Sequence, residues 1–127
     1  NWFAEQLFAN IGQPIQVQRI SVQSYNGETR GELSFNTLPT NVTGKEVIVI
    51  DDILDSGVTM KKVLAHLIEQ CDAAEAHACI LLKRETLKDF KTINTPYIVQ
   101  KGLWLAGCGM DNYNEGRDLP AVYYKCE

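Results

Sequence analysis

Apolar residues recur along the chain with two different periods, which predict two helices and several strands. Helical spacing relates the apolar residues of the first segment, which are Trp2, Phe3, Leu7, Phe8 and Ile11. Gly12 and Pro14 end that pattern, so we predict a first amphipathic helix before them. A second helix is predicted to begin at Thr59, with an apolar stripe of Met60, Val63, Leu64, Leu67 and Ile68 and with Lys61, Lys62, His66 and Glu69 facing outward.

Strand patterns fill the rest of the chain. The segments that we predict as strands are residues 15–24, 33–38, 47–50, 76–82, 95–100 and 103–108. Residues 47–50 are an uninterrupted β-branched run, which is typical of a parallel strand covered on both faces. A strand, a helix and a further strand in this order form a right-handed βαβ unit. We therefore predict an α/β fold with an open, mainly parallel sheet flanked by helices.

Length and composition restrict the class of protein. A chain of 127 residues supports one hydrophobic core, so we predict a single domain over residues 1–127. A net charge of -4 argues against a nucleic-acid partner, because binding to phosphates needs a basic surface. We find no apolar run long enough for a membrane span and no signal peptide, and we predict a cytoplasmic protein without membrane contacts. Since the sequence begins without Met and inside a helical pattern, we expect that it is truncated at its N-terminus.

The cysteines lack the spacing of a redox or metal site. We find no C-x-x-C pair and no metal-ligand spacing with either histidine for Cys71, Cys79, Cys108 and Cys126. We predict reduced, mostly buried thiols.

The segment VIVIDDILDSGVTM, residues 47–60, joins the third predicted strand to the second predicted helix. Its turn consists of Ser56, Gly57, Val58 and Thr59. Unpaired backbone N–H groups and the helix dipole favour an anion at such a position. The structural alternative is that Ser56 or Thr59 only caps the helix.

Three carboxylates precede that turn, on Asp51, Asp52 and Asp55. Mutual repulsion raises the cost of ionising all three unless a cation or hydroxyl donors neutralise them. A ligand with a phosphate, a diol and a Mg²⁺-bound group matches the whole segment, and ribose 5-phosphate is such a ligand. The chain has no G-x-x-x-x-G-K-[ST] phosphate loop. Residues 107–109 (GCG) are only a fragment of a dinucleotide-binding fingerprint, and we predict a turn there.

Residues 47–60 resemble the phosphoribosyl-pyrophosphate (PRPP) motif of type I phosphoribosyltransferases: four apolar residues, two acids, two apolar residues, then Asp, Ser or Thr, Gly, any residue and Thr. Downstream, LLKRET and WLAGCGMDNYNEGRDLP resemble the hypoxanthine-guanine branch, where a strand-end lysine, an aromatic residue, then Asp and Arg six positions apart recur. Asp111 and Arg117 have that separation. The resemblance implies the type I fold, purine salvage, PRPP and a 6-oxopurine or nucleoside monophosphate as ligands, Mg²⁺ as cofactor, and a homodimer or homotetramer.

The resemblance also implies roles for single residues. PRPP and its 5′-phosphate would be bound by Asp51, Asp52, Asp55, Ser56, Gly57, Val58 and Thr59. Asp55 is also the candidate general base for the purine N7 proton. Lys83 would donate a hydrogen bond to the purine 6-oxo group. Adenine has an amino group at this position, which is itself a donor and could not accept from the ammonium group. The structural alternative for Lys83 is a surface lysine at a strand end.

The resemblance implies further roles for residues in the C-terminal half and in one loop. Trp104 would stack on the base and Leu105 would offer backbone groups to its edge, with a core tryptophan as the alternative. Asp111 would bind Mg²⁺, with Asp51 and Asp52 as further candidates. Arg117 would contact pyrophosphate, with a surface ion pair to Asp111 as the alternative. Ser24 and Tyr25 begin SYNGETRGE, where the family has a loop that closes over the site.

The sequence departs from the family pattern at several points, one of which is a short lid segment. Asn112 is interposed in the usual D-Y-N-E run, and Trp104 replaces the more usual Phe or Tyr. The family's N-terminal strand and its pyrophosphate-binding Leu-Lys-Gly loop would come before residue 1.

Our leading hypothesis is an enzyme. The alternatives are a PRPP- or nucleotide-sensing regulatory module on the same fold, and a domain whose acidic strand end binds only Mg²⁺ or nothing.

Overall fold

A computed structural model describes residues 1–24, 33–111 and 114–125 of the protein. In chain order its elements are α1 (Trp2–Asn10), β1 (Ser21–Ser24), β2 (Leu33–Thr37), β3 (Glu46–Leu54), α2 (Val58–Glu69), β4 (Glu75–Arg84), a 3-10 helix (Glu85–Leu87), β5 (Tyr97–Val99), β6 (Leu105–Ala106) and β7 (Tyr123–Tyr124). A parallel sheet contains β3, β4 and β5 in this order. The two antiparallel pairs are β1 with β2 and β6 with β7. The predicted α/β fold with an open parallel sheet is therefore confirmed.

The contacts divide the chain into two compact units. Unit 1 consists of Asn1–Gly12, Ile50–Ser56 and Cys79–Glu127, and unit 2 consists of Gln13–Val49 and Gly57–Ala78. The single domain over residues 1–127 stays a prediction. In the described ranges, neither α-helix combines the length and the apolar character that crossing a bilayer requires.

The core of unit 2 forms around α2. The buried residues of this helix are Met60, Val63 and Leu67, which follow the spacing of three and four that one helix face requires. The apolar stripe is narrower than predicted, because Ile68 is 42% exposed. His66 was predicted to face outward, and this is wrong: its ring lies 4.3 Å from the ring of Phe35, centroid to centroid.

Two strands of the parallel sheet are longer than the sequence predicts. We expected the third strand to end at Ile50 and the fourth at Leu82, but β3 continues to Leu54 and β4 to Arg84. Backbone hydrogen bonds between strands do not depend on side-chain polarity, so charged residues can continue a strand that an apolar run begins. The charged residues of the predicted site therefore lie within the last residues of the strands as well as after them.

Other predicted elements are shorter in the structure. Of the segment 15–24, only Ser21–Ser24 forms a strand, and of the segment 103–108, only Leu105–Ala106 does. The first helix ends at Asn10, as Gly12 and Pro14 predict. The described cysteines Cys71, Cys79 and Cys108 are unpaired, in agreement with reduced thiols, and Cys126 lies outside the described residues.

Gly107, Cys108 and Gly109 form the turn that the sequence predicts. Their φ angles are 102°, 51° and 93°, all in the left-handed region. The Gly107 N–H donates to the Met110 carbonyl at 2.9 Å, and the Met110 N–H donates back at 3.0 Å. A Cβ atom on Gly107 would overlap the backbone carbonyl oxygen of Ala121. This position in unit 1 therefore requires glycine for two separate reasons.

Replacing Gly107 by alanine is expected to lower the free energy of unfolding by about 2 to 5 kcal/mol, since a left-handed φ costs about 1 to 2 kcal/mol and overpacking about 1 to 3 kcal/mol. Urea unfolding measures this loss. Gly44→Ala is the matched control, because Gly44 has a φ of 70° but open space where its Cβ would lie. Equal losses in the two variants would contradict the clash with Ala121.

Candidate functional site

Two of the three predicted aspartates form a half-buried pair near the end of β3. The carboxylate of Asp51 accepts a hydrogen bond from the backbone N–H of Asp52 at 2.9 Å, and that of Asp52 accepts one from the N–H of Ile53 at 2.8 Å. Burial, and after it the charge of Asp52, raise the pKa of Asp51 from 3.8 to about 6. The charge of Asp52 thus adds to the cost of ionising Asp51, whereas repulsion among all three aspartates stays a prediction. Adjacent carboxylates of this kind are a donor set that suits Mg²⁺ or hydroxyl groups.

The raised pKa of Asp51 predicts a pH-dependent gain in stability for Asp51→Asn. Because the folded-state pKa of about 6 lies above the ordinary 3.8, the stability that Asp51 contributes is complete below pH 3.8 and is lost as the pH rises through 6. Asparagine cannot ionise, and its amide oxygen can still accept from the Asp52 N–H. We expect the variant and the wild type to be similar near pH 4 and the variant to be more stable at pH 7, by at most about 3 kcal/mol.

Urea unfolding between pH 4 and pH 7 without added Mg²⁺ measures this difference. Asp89→Asn is the control, because Asp89 is an exposed aspartate outside the pair. A difference between Asp51→Asn and the wild type that stays constant with pH would contradict the raised pKa.

The helix after the motif begins at Val58, one residue earlier than predicted, and its N-cap is Gly57. Gly57 has a φ of 73° and a ψ of -10°, which glycine adopts at little cost. The N-cap position therefore belongs to Gly57 and not to Ser56 or Thr59. The Gly57 carbonyl accepts the Lys61 N–H at 3.0 Å, which closes the first helical turn.

Lys83, the second-last residue of β4, is buried. Its side chain is 5% exposed, and it is the buried charged residue in the described part of the chain. The Nζ atom donates to the carbonyl oxygen of Lys88 at 3.2 Å and to that of Phe90 at 3.0 Å. A surface lysine was the alternative, and it is wrong. An ammonium group has three donors, so two carbonyls leave one donor for a further acceptor.

Arg84 follows Lys83 and contacts Asp55, the candidate general base. Its Nε donates to Asp55 Oδ1 at 2.7 Å, and its Nη1 donates to the carbonyl oxygen of Gln100 at 2.9 Å. The Arg84 side chain is 13% exposed and that of Asp55 is 73% exposed. Arg84 was not among the site residues predicted from the sequence. Its position next to Lys83 at a predicted strand end was the signal that could have pointed to it.

Trp104 and Leu105 lie where β6 begins. Trp104 is 54% exposed, so the alternative of a core tryptophan is wrong. Leu105 is half-buried and is the first residue of β6, where it pairs with Tyr124. The Trp104 carbonyl accepts the Lys125 N–H at 3.0 Å, which fixes the backbone beside the exposed ring.

Asp111 and Arg117 form an ion pair in unit 1. Asp111 Oδ2 lies 3.2 Å from Arg117 Nη2 and accepts the Asn114 N–H at 2.8 Å. The hydrogen bond from Asn114, and after it the contact with Arg117, lower the pKa of Asp111. The carboxylate therefore stays ionised at neutral pH, as a metal ligand must. The roles of these two residues toward Mg²⁺ and pyrophosphate stay predictions.

The predicted lid falls almost entirely outside the described residues. Ser24 is the last residue of β1, and Tyr25 belongs to the segment 25–32 that the structure does not describe. The assignment of Ser24 and Tyr25 to a lid therefore stays a prediction.

A cluster of three ionisable side chains in unit 2 was not predicted from the sequence. His77 Nε2 lies 2.9 Å from Glu75 Oε2 and 3.8 Å from Glu46 Oε1. Glu75 and His77 are two positions apart on β4, which brings both side chains to one face of the strand. The two glutamates are exposed, and the close contact between His77 and Glu75 accounts for the group.

Comparison with known proteins decides the family. The model of the phosphoribosyl transferase domain matches residues 2–109. The chain belongs to this family. Its fold, the acidic end of β3 and the buried lysine of β4 are thus features of a phosphoribosyltransferase domain.

Three similar proteins place this domain in the hypoxanthine-guanine branch. Hypoxanthine-guanine-xanthine phosphoribosyltransferase of Tritrichomonas foetus is 28% identical over 125 residues, which cover 95% of this chain and 68% of that protein. Hypoxanthine-guanine phosphoribosyltransferase of Aquifex aeolicus is 37% identical over 87 residues, 68% of this chain and 48% of that protein. The crystal structure of a hypoxanthine-guanine phosphoribosyltransferase from Bacillus anthracis has a TM-score of 0.79 and 28% identity, and the match covers 98% of this chain and 75% of that one.

These matches confirm the resemblance to type I phosphoribosyltransferases of the hypoxanthine-guanine branch. The chain spans about two thirds of the length of the Tritrichomonas relative and about half of that of the Aquifex relative. The roles assigned to single site residues stay predictions.

Proposed function

We infer that this protein is a purine salvage phosphoribosyltransferase. It transfers the 5-phosphoribosyl group of PRPP to N9 of hypoxanthine or guanine and releases pyrophosphate. The observation that carries this inference is Lys83, a lysine buried near the end of β4 in a chain of the phosphoribosyltransferase family. The relatives compared above are all named as phosphoribosyltransferases, and none supports the regulatory alternative.

Lys83 is proposed to select a 6-oxopurine. Two donors of its ammonium group are engaged with carbonyl oxygens, and the third is proposed to bond to the purine 6-oxo group. Adenine presents an amino group at this position, which would leave two donors facing each other. A site based on such hydrogen bonds can discriminate by about 10⁴ to 10⁵. The exposed ring of Trp104 is proposed to stack on the base, with Leu105 at the base edge.

Residues 51–59 are proposed to bind PRPP. The support is the complete PRPP motif in the sequence. Asp51 and Asp52 are proposed to bind the ribose hydroxyls, and residues 56–59 to bind the 5′-phosphate. Mg²⁺ is the proposed cofactor, and the carboxylate donors that fit it are those of Asp111, Asp51 and Asp52. When bound, it would neutralise charge on the departing pyrophosphate. Arg117 is proposed to contact that pyrophosphate, which requires it to exchange its present contact with Asp111.

Asp55 is proposed as the general base. The bond between the purine N9 and C1 of the ribose forms while the bond between C1 and pyrophosphate breaks. The N7 proton of the base passes to the Asp55 carboxylate, and pyrophosphate leaves with the electron pair.

We further propose that Ser24 and Tyr25 begin a lid, and that the protein is a cytoplasmic homodimer or homotetramer.

The test is PRPP- and Mg²⁺-dependent formation of the nucleoside monophosphate from hypoxanthine or guanine by the full-length protein. Product formation with either base, and none with adenine, is the expected result. Calorimetry with PRPP supplies the second measurement. Binding of PRPP without turnover of any 6-oxopurine would support a sensing module, and heat from Mg²⁺ alone would mean that the acidic strand end binds only the metal.

A further inference from the structure

The contact between Arg84 and Asp55 connects the ends of two neighbouring strands. Asp55 is the first residue after β3, and Arg84 is the last residue of β4. Arg84 Nε lies 2.7 Å from Asp55 Oδ1, which is the length of a short, charge-assisted hydrogen bond. The second carboxylate oxygen of Asp55, Oδ2, takes no part in this contact.

Arg84 is itself held in place on its other side. Its Nη1 donates to the Gln100 carbonyl at 2.9 Å, just beyond the end of β5, and its side chain is 13% exposed. A guanidinium group is planar and has donors in a fixed fork, so two contacts from different nitrogens determine the orientation of the whole group. Arg84 is therefore a rigid support, whereas the Asp55 carboxylate that it contacts is 73% exposed.

Stability gives no sufficient reason for this arrangement. Ion pairs with an exposed partner contribute little to folding, because water screens the attraction and an ordered side chain loses entropy. An exposed aspartate without such a support would sample several rotamers. A general base must instead hold one oxygen within hydrogen-bond distance of the proton that it accepts.

We propose that Arg84 is a positioning residue for Asp55. It fixes Oδ1 and thereby directs Oδ2 to the N7 proton of the purine, so that proton transfer accompanies formation of the N9–C1 bond. This proposal rests on the proposed function, in which Asp55 is the base. It assigns the selection of the 6-oxo group to Lys83 and the orientation of the base carboxylate to its neighbour Arg84.

The first experiment requires no turnover. Nitrogen-15 NMR of the full-length protein follows exchange of the Arg84 Nε–H with solvent in the wild type and in Asp55→Ala. We expect exchange in Asp55→Ala to be at least about 10-fold faster, because the variant removes the acceptor of that hydrogen. An equally fast exchange in both proteins would show that the contact is not held in solution and would overturn the proposal whatever the activity is.

The second experiment is a kinetic double-mutant cycle with Arg84→Gln and Asp55→Asn. Arg84→Gln is expected to lower kcat at least about 10-fold and to leave the KM for PRPP nearly unchanged, because misplaced catalytic groups can cost about 100-fold. In the Asp55→Asn background the same substitution is expected to have almost no effect, since Arg84 acts through Asp55. Equal losses of kcat in both backgrounds would mean that Arg84 acts independently of Asp55, and the proposal would be rejected.

Two further variants separate orientation from charge. Arg84→Lys keeps the positive charge without the fork, and it is expected to recover only part of the lost kcat; full activity would reject orientation by the guanidinium. Arg19→Gln, an equal change of charge in unit 2, is expected to keep wild-type kcat. Thermal melts establish that each variant is folded. No turnover by the wild type would reject the proposed function and the positioning role that rests on it. Fast exchange of the Arg84 Nε–H in a wild type that turns over would reject the positioning role alone.

Discussion

Replacing Lys83 by alanine is expected to lower kcat/KM for hypoxanthine and guanine by about 10- to 150-fold, the equivalent of about 1.5 to 3 kcal/mol for a hydrogen bond from a charged group. Affinity for PRPP should change much less, because Lys83 lies outside the PRPP motif. The physical reason is burial: at 5% exposure, water cannot replace the missing ammonium group at the purine 6-oxo position. Steady-state kinetics with each base, and calorimetry with PRPP, measure the two effects separately.

The Lys83→Ala variant also loses the donor for two backbone carbonyls, on Lys88 and Phe90. Unfolding curves must therefore accompany the kinetics, and we expect some loss of stability from these unpaired groups. Lys88→Ala is the matched control, because it removes an exposed lysine and keeps the carbonyl that Lys83 contacts. Equal losses of base and PRPP binding in Lys83→Ala would show that the base site has been misplaced.

Asp55→Asn is expected to lower kcat by about 100- to 10,000-fold, the range that general base catalysis contributes. The amide oxygen of asparagine can still accept from Arg84 Nε, so the orientation of the side chain is kept while its basicity is lost. The KM for both substrates should therefore change little. Single-turnover kinetics, which separate chemistry from product release, give the clearest measurement.

Asp89→Asn is the control for this prediction, since it is the same substitution at an exposed position of the segment that follows β4. It should retain the kcat of the wild type. A kcat for Asp55→Asn within a few-fold of that value would mean that Asp55 is not the base and that the N7 proton leaves by another route.

The sequence was sufficient for the fold class and for the location of the acidic residues at the end of β3. The β-branched run of residues 47–50, the apolar segment 76–82 and a helix of period 3.6 between them predicted the parallel sheet, because these patterns follow from backbone geometry. The PRPP motif is continuous in sequence, so its acids and its turn could be found without knowledge of tertiary contacts. Strand ends were less predictable, as β3 and β4 extend past the apolar runs into charged residues.

Tertiary contacts account for what the sequence could not show. Burial of Lys83 depends on carbonyl groups five and seven residues further along the chain, and the orientation of Arg84 depends on a carbonyl 16 residues away. The half-buried position of His66 depends on Phe35, which belongs to a different element. None of these partners lies at a spacing that a helix or strand period would reveal. Periodicity could therefore indicate the helix or strand of each residue, but not which groups surround its side chain.

Under the proposed role of Lys83, its carbonyl contacts link the connection between β4 and β5 to the choice of base. Lys88 and Phe90 supply backbone oxygens, not side chains, so most substitutions in this connection should leave base choice unaltered. Insertion or deletion of one residue there would instead move both oxygens away from the ammonium group. If Lys83 selects the base as proposed, discrimination against adenine depends on the length of this connection more than on its composition.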